Sequence, residues 1–269
     1  HRGMHAAHRG LTRDGRWTGE VRCLPERLAE PFRWRTPQRV AVALMGDLFH
    51  ERVPPEFIAT LFGAMAMLPQ HTFMLLTKRP ERMHSLFEWV ADALGPRNAS
   101  GPLSNIWAGV SIEDQPTADL RIPLLLQTQA ARRFVSYEPA LGEVDFFYET
   151  EIGPLSWLKR HWLMDDQYTT PLDWVIVGGE SGPRARPCDV AWIRSAVEDC
   201  QAAGVPVWVK QLGADPLCND YDREVHDDGT LFRQRCEGEW WMRLRHRSGA
   251  DMAEWPADIR VRELPGVTP

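Results

Sequence analysis

Six stretches of the chain share one pattern: an apolar run closed at its C-terminal end by polar or charged residues. They are Arg39–Asp47, Thr72–Arg79, Asn105–Glu113, Arg132–Glu138, Leu172–Glu180 and Val205–Gln211. Successive starts lie 27 to 40 residues apart, the spacing of repeated strand–helix units. Consecutive apolar residues suit strands buried on both faces, as in a parallel sheet. Parallel α/β sheets and barrels place their chemistry at the C-terminal ends of the strands. The expected fold is therefore α/β, a parallel (β/α) barrel that is partial or TIM-like, with six polar strand ends on one rim.

The segments between the runs read as helices. Phe57, Ile58, Leu61, Phe62, Met65 and Leu68 recur at helical spacing behind Pro54–Pro55, which suits a helix start. Met83, Leu86, Phe87, Val90 and Leu94 do the same after the second run. A third helix is expected over Thr117–Gln127, interrupted at Pro123. Val190, Ile193, Val197 and Cys200 form a stripe bounded by Asp189 as N-cap and Gly204 as stop. Residues 143–171 are acidic, aromatic and too long for a plain loop, so an insertion over the rim is expected there. Residues 1–213 are read as the barrel domain. Residues 214–269 are read as an appended β-rich extension that covers the barrel, with a turn at Asp228–Gly229 and a strand with a basic end in Cys236–Arg247.

The chain carries a net charge of −6, so it is not a basic nucleic-acid coat, although a local basic rim can act inside an acidic total. Its twelve tryptophans are scattered, which favours packing over a stacking platform. The five cysteines, Cys23, Cys188, Cys200, Cys218 and Cys236, include no CxxC pair. Reduced thiols and a cytoplasmic location are the expectation, and no stretch reaches the ~18 apolar residues of a membrane span. The sequence starts His1-Arg2-Gly3 without an initiator Met, and a truncated N-terminus is expected.

Asp47, Glu113, Glu138 and Glu180 are carboxylates at four strand ends. A closed barrel brings such groups within ~5–10 Å, the range of paired-carboxylate acid/base work. The competing reading is that each pairs with a rim cation (Lys78, Arg79, Arg184, Arg186 or Lys210) and staples loops. Gly178-Gly179-Glu180 after a strand lets backbone approach a ligand closely, or forms only a tight turn. It is neither a P-loop nor a dinucleotide fingerprint. Lys78, Arg79, Arg184, Lys210 and Gln211 suit a phosphate or carboxylate substrate. Ser111 and Ser136 suit a ribose hydroxyl or a helix cap. His50 is an acid/base candidate or a solvated loop residue. No metal ligands are read.

The ordered set GDLFHERVP, LLTKRPERM, NIWAGVSIEDQ, RFVSYEPALG, DWVIVGGESGPRARP and VPVWVKQLG resembles an uncharacterised phage-associated group, the gp thirty-seven/gp sixty-eight family, a domain of unknown function. The likeness covers about residues 9–213. Members carry an upstream three-cysteine segment of the iron–sulfur type, which makes them similar to radical S-adenosylmethionine (SAM) enzymes. The resemblance implies SAM and an iron–sulfur cluster as cofactors of the full-length family. It implies SAM-binding roles for Asp47, Ser111, Glu113, Glu138, Gly178, Gly179 and Glu180, while catalytic roles for Asp47, Glu138 and Glu180 are expected from the paired-carboxylate reading. Where radical SAM enzymes have a Gly-Gly-Glu turn, this chain has Met45-Gly46-Asp47. The three-cysteine segment itself is absent. The leading expectation is a radical-SAM-like barrel acting on a nucleic acid or nucleotide. The alternatives are a cluster-free hydrolase using carboxylates or a metal, and a non-catalytic nucleic-acid-binding module.

Overall fold

The computed structural model describes residues 10–13, 16–43, 46–94, 102–146, 172–219 and 231–266. The expected 143–171 insertion, apart from its first four residues, and the Asp228–Gly229 turn lie outside the described residues.

Six strands, β1 (Arg39–Val42), β2 (Thr72–Thr77), β3 (Ile106–Ile112), β4 (Arg132–Tyr137), β5 (Trp174–Gly178) and β6 (Val207–Gln211), pair in chain order into one sheet. Every pairing is parallel. The sheet curls into a half-barrel and does not close as a TIM barrel does. Six strands leave two edges, β1 and β6, where a closed barrel of this kind needs about eight strands.

Four helices follow strands: α1 (Pro55–Ala66), α2 (Pro80–Leu94), α3 (Gln115–Gln127) and α4 (Val190–Ala203). Each turns its apolar stripe onto one face of the sheet. Ile58, Phe62 and Met65 of α1, Met83 and Phe87 of α2, Ile122 of α3 and Ile193 of α4 share a core with Phe73 and Leu75 of β2. The α3 start is a capping box: Asp114 accepts from the Thr117 N–H, and the Thr117 hydroxyl serves the Asp114 backbone. Pro123 lies inside α3 without ending it. Gly204, at φ 69°, closes α4 in the left-handed conformation that glycine adopts without penalty.

Strand alternation sends a second set of residues to the face away from the helices. Trp107, Phe134 and Trp174 are buried there, packed with Met74, Leu76, Ile176, Trp208 and Leu264. Gly109 lies opposite Phe134 in the ladder, and the ring occupies the space a side chain at Gly109 would fill.

The C-terminal residues cover the β6 edge and pack on the inner aromatic layer. Val261–Glu263 run antiparallel along the β6 edge: the Val209 N–H donates to Val261 O (2.9 Å) and the Glu263 N–H to Val207 O (2.9 Å). Trp174 Nε1 donates to Glu263 O, and Leu264 packs on the inner aromatic layer. Most of a small sheet comes between β6 and this tail in chain order. A hairpin, Leu231–Cys236 with Glu239–Arg243, pairs through Pro216–Asn219 to Cys188–Asp189. Its described turn is at Glu237–Gly238. Cys218, Met242, Trp255 and Ile259 belong to the same core as the helices, so the extension shares its interior with the half-barrel. No helix among the described residues is long and apolar enough to cross a membrane.

Candidate functional site

The C-terminal ends of the strands form a rim of alternating charge. Continuing the inner-face alternation one step past each strand brings Lys78, Glu113 and Glu138 to the rim, with Ser111, Ser136, Gly178 and Lys210. Ser111 lies opposite Ser136 in the ladder. Ser111 Oγ donates to Glu138 O, and Ser136 Oγ to Glu138 Oε2 (3.1 Å). Lys210 Nζ meets Glu138 Oε1 at 3.0 Å. A Cβ on Gly178 would stand 3.1 Å from Glu138 Oε1 and 2.9 Å from Gln211 O, so the glycine leaves room for the carboxylate.

Glu113 is held from two sides. Lys78 Nζ donates to Oε1, and Arg121 Nη1 to Oε2 at 2.9 Å. Arg121 also donates to Ser111 O, 2.5 Å away. Arg121 escaped the sequence reading, although a signal for it exists. It lies four residues beyond Thr117 of the capping box, on the same helix face.

Asp47 belongs to a different cluster. It accepts from the Phe49 N–H, from Thr77 Oγ1 at both oxygens (2.8 and 3.0 Å) and from Arg79 Nη1 (2.7 Å). Thr77, also unforeseen, shares its strand face with Phe73 and Leu75, the helix-packed side. The contacts of Asp47 are with β2 and its own turn, and none is with the Glu138–Lys210 pair.

Glu180 pairs with Arg186, which donates from its backbone N–H (3.0 Å) and from Nε (2.7 Å). The Arg186 side chain, then its backbone N–H, hold the Glu180 carboxyl below the usual carboxylate range. Gly179 is packed against Leu212: a Cβ there would sit 2.2 Å from Leu212 O. Gln211 Nε2 donates to Gly179 O, so Gln211 ties the β5 and β6 ends together. Arg184 is exposed at φ 67° and has no polar partner among the described residues. His50 Nδ1 accepts from the Arg52 N–H, a local turn contact.

Every candidate carboxylate thus has a cation, yet the pairs differ in which partner is buried. The Glu113 and Glu138 side chains are 12% and 16% exposed, whereas their lysines, Lys78 and Lys210, are 53% and 54% exposed. Arg121, at 14%, is as buried as Glu113 itself. Lys78 and Arg121 share Glu113, Arg79 serves Asp47, Arg186 serves Glu180 and Lys210 serves Glu138, while Arg184 has no acidic partner among the described residues. Glu113 and Glu138 are thus mostly buried carboxylates capped by half-exposed lysines.

The cysteines do not gather. Cys188, Cys200 and Cys218 are buried, Cys23 is half-buried and Cys236 is exposed. Among the described residues no three His, Cys, Asp or Glu side chains are placed to share a metal ion.

Comparison with curated proteins and with solved structures finds no match to the chain. A family profile matches residues 1–248, and on that match the chain belongs to the family described as protein of unknown function, DUF5131.

Proposed function

We propose that the rim binds the methionine end of SAM, with Glu138 receiving the α-ammonium and Lys210 the α-carboxylate. The observation that carries this reading is the asymmetry of the Glu138–Lys210 pair. A fixed, mostly buried carboxylate is capped by a lysine that is 54% exposed. An α-amino acid carries both complementary charges on one carbon and can satisfy both partners at once. Ser111 and Ser136 hold Glu138 in position. Lys78, Arg79 and the exposed Arg184, which has no acidic partner among the described residues, suit a phosphate-bearing substrate, a nucleotide or nucleic acid.

Bound beside a reduced iron–sulfur cluster, SAM supplies a 5′-deoxyadenosyl radical. The cysteines described above do not fit such a cluster, so no radical step is assigned to this chain. The role proposed for its own residues is binding and orientation of SAM. The hydrolase alternative has less support, because the candidate carboxylates are already paired with cations.

Equilibrium dialysis with radiolabelled SAM tests the proposal. The expected result is saturable binding, weakened about tenfold or more by Glu138→Gln and by Lys210→Met. Methioninamide, which lacks the carboxylate, should compete less well than methionine. Absence of SAM binding, or binding indifferent to both substitutions, would overturn it.

A further inference from the structure

The hairpin of the small sheet has two unlike faces. Phe232, Trp240 and Met242 pack into the core. The other face presents Arg233, Arg235, Trp241 and Arg243. Arg233 lies directly across the ladder from Trp241. The Arg233 guanidinium stands 5.7 Å from the Trp241 ring centroid and that of Arg235 5.9 Å. Residues 231–247 hold five arginines and two glutamates, in a chain whose net charge is −6. Arg235 pairs with Glu239 and Arg245 with Glu254. Arg233, Arg243 and Arg247 are exposed and have no acidic partner among the described residues.

We infer that this ribbon face is a platform for single-stranded nucleic acid. A half-buried indole with two guanidinium groups over its ring offers a base a layered surface of indole and guanidinium to stack on, and every base has a π-face. The unpaired arginines around it supply contacts to consecutive phosphates. The position is apt for a path to the rim. The Leu212 N–H, one residue past β6, donates to Gly249 O just after the ribbon, and the Ala214 N–H donates to Glu180 O. A duplex keeps its bases stacked on one another and offers the indole no free π-face, so a single strand is the occupant. The inference goes beyond the SAM reading and does not depend on it.

Fluorescence anisotropy with labelled dT12, rU12 and a 12-base-pair duplex tests it on the full chain. Binding of either single strand is expected in 50 mM salt, tighter than the duplex, with a log–log salt slope of about −2 for three phosphate contacts. Trp241→Leu should weaken it at least about fivefold, whereas Trp241→Phe retains stacking and stays within about threefold. Arg233→Glu with Arg243→Glu should abolish it. Glu138→Gln and Lys210→Met should leave it unchanged, which separates this site from the rim. Binding of either dT12 or rU12 supports the platform. No binding, equal binding of the duplex, binding unaffected by these ribbon substitutions, or binding only to phosphatidylserine vesicles would overturn it.

Discussion

Gly109→Ala should destabilise the half-barrel, and replacing one neighbour should reverse the sign of the effect. A Cβ built on Gly109 falls 2.4 Å from Phe134 Cζ and 2.6 Å from each Cε. Ordinary contact is 3.4–4 Å, so the ring must withdraw by about 1 Å. It has nowhere to go. Trp174 lies against it at 5.9 Å between centroids, and Trp174 in turn meets Trp107 edge-on at 6.3 Å. Trp174 is itself tied to the tail through Glu263 O. Overpacking of this kind costs about 1–3 kcal/mol, and the rigidity of the aromatic layer puts Gly109→Ala near ~3 kcal/mol. For a chain of this size that lowers Tm by roughly 6–12 °C. The offending atoms are Cζ and both Cε of Phe134, which leucine lacks. In a Phe134→Leu background, Gly109→Ala should therefore be neutral or stabilise by ~0.5–1 kcal/mol, the usual gain from removing a strand glycine. Urea unfolding of the four proteins, followed by tryptophan fluorescence and circular dichroism, gives a coupling energy of about 3–4 kcal/mol. Equal costs of Gly109→Ala in both backgrounds would refute the stacked arrangement.

Two further outcomes follow from the thiols. Burial pushes the Cys188 thiol up to about 12, while an unfolded cysteine titrates near 9.0. The unfolded chain therefore loses this proton first, and the stability contribution present below pH 9 is lost as pH rises towards 12; Cys188→Ala should flatten the fall in urea midpoint over that window, and an unchanged slope would contradict it. At Cys236 the hydrogen bond with Glu239 raises the thiol pKa, so Glu239→Gln should speed its alkylation by iodoacetamide at pH 8, read by mass spectrometry against the buried Cys188 and Cys200, and a slower reaction would contradict the assignment.

The parts of the fold that were legible are those written in local periodicity. Apolar runs at 27 to 40 residue spacing gave the strand order, and helical stripes with Asp189 and Gly204 at their ends gave α4 nearly to the residue. Long-range pairings were not legible. Arg39–Asp47 reads as one apolar run, yet β1 ends at Val42, and the φ of 54° falls on Ala43 while the glycine of the turn, Gly46, comes three residues later and donates to Ala43 O. Val261–Glu263 is too short for a strand pattern, and its partner on β6 lies some fifty residues away. The polar character of the rim was readable, because each run ends in charge. Its partition was not. Asp47 looks like Glu138 in sequence, but Thr77, Arg79 and its own turn saturate it.

That partition bears on what a rim of ion pairs can bind. A carboxylate only 16% exposed cannot be left without a cation, because an uncompensated buried charge costs several kcal/mol. Any ammonium that reaches Glu138 must therefore displace Lys210, and binding there is an exchange. The Coulomb gain from a simple amine largely cancels against the contact it breaks. Its release does little harm to Lys210, which already stands half in water. A ligand gains net attraction only by giving the freed lysine an anion within reach, which is the property of a zwitterion and not of an amine or an acid alone. Glu113 behaves otherwise: when Lys78 leaves, the buried Arg121 still neutralises it. Of the two lysine-capped carboxylates, Glu138 is thus the one whose charge demands replacement, and the proposed SAM site would discriminate among ligands at the contact of Glu138 with Lys210.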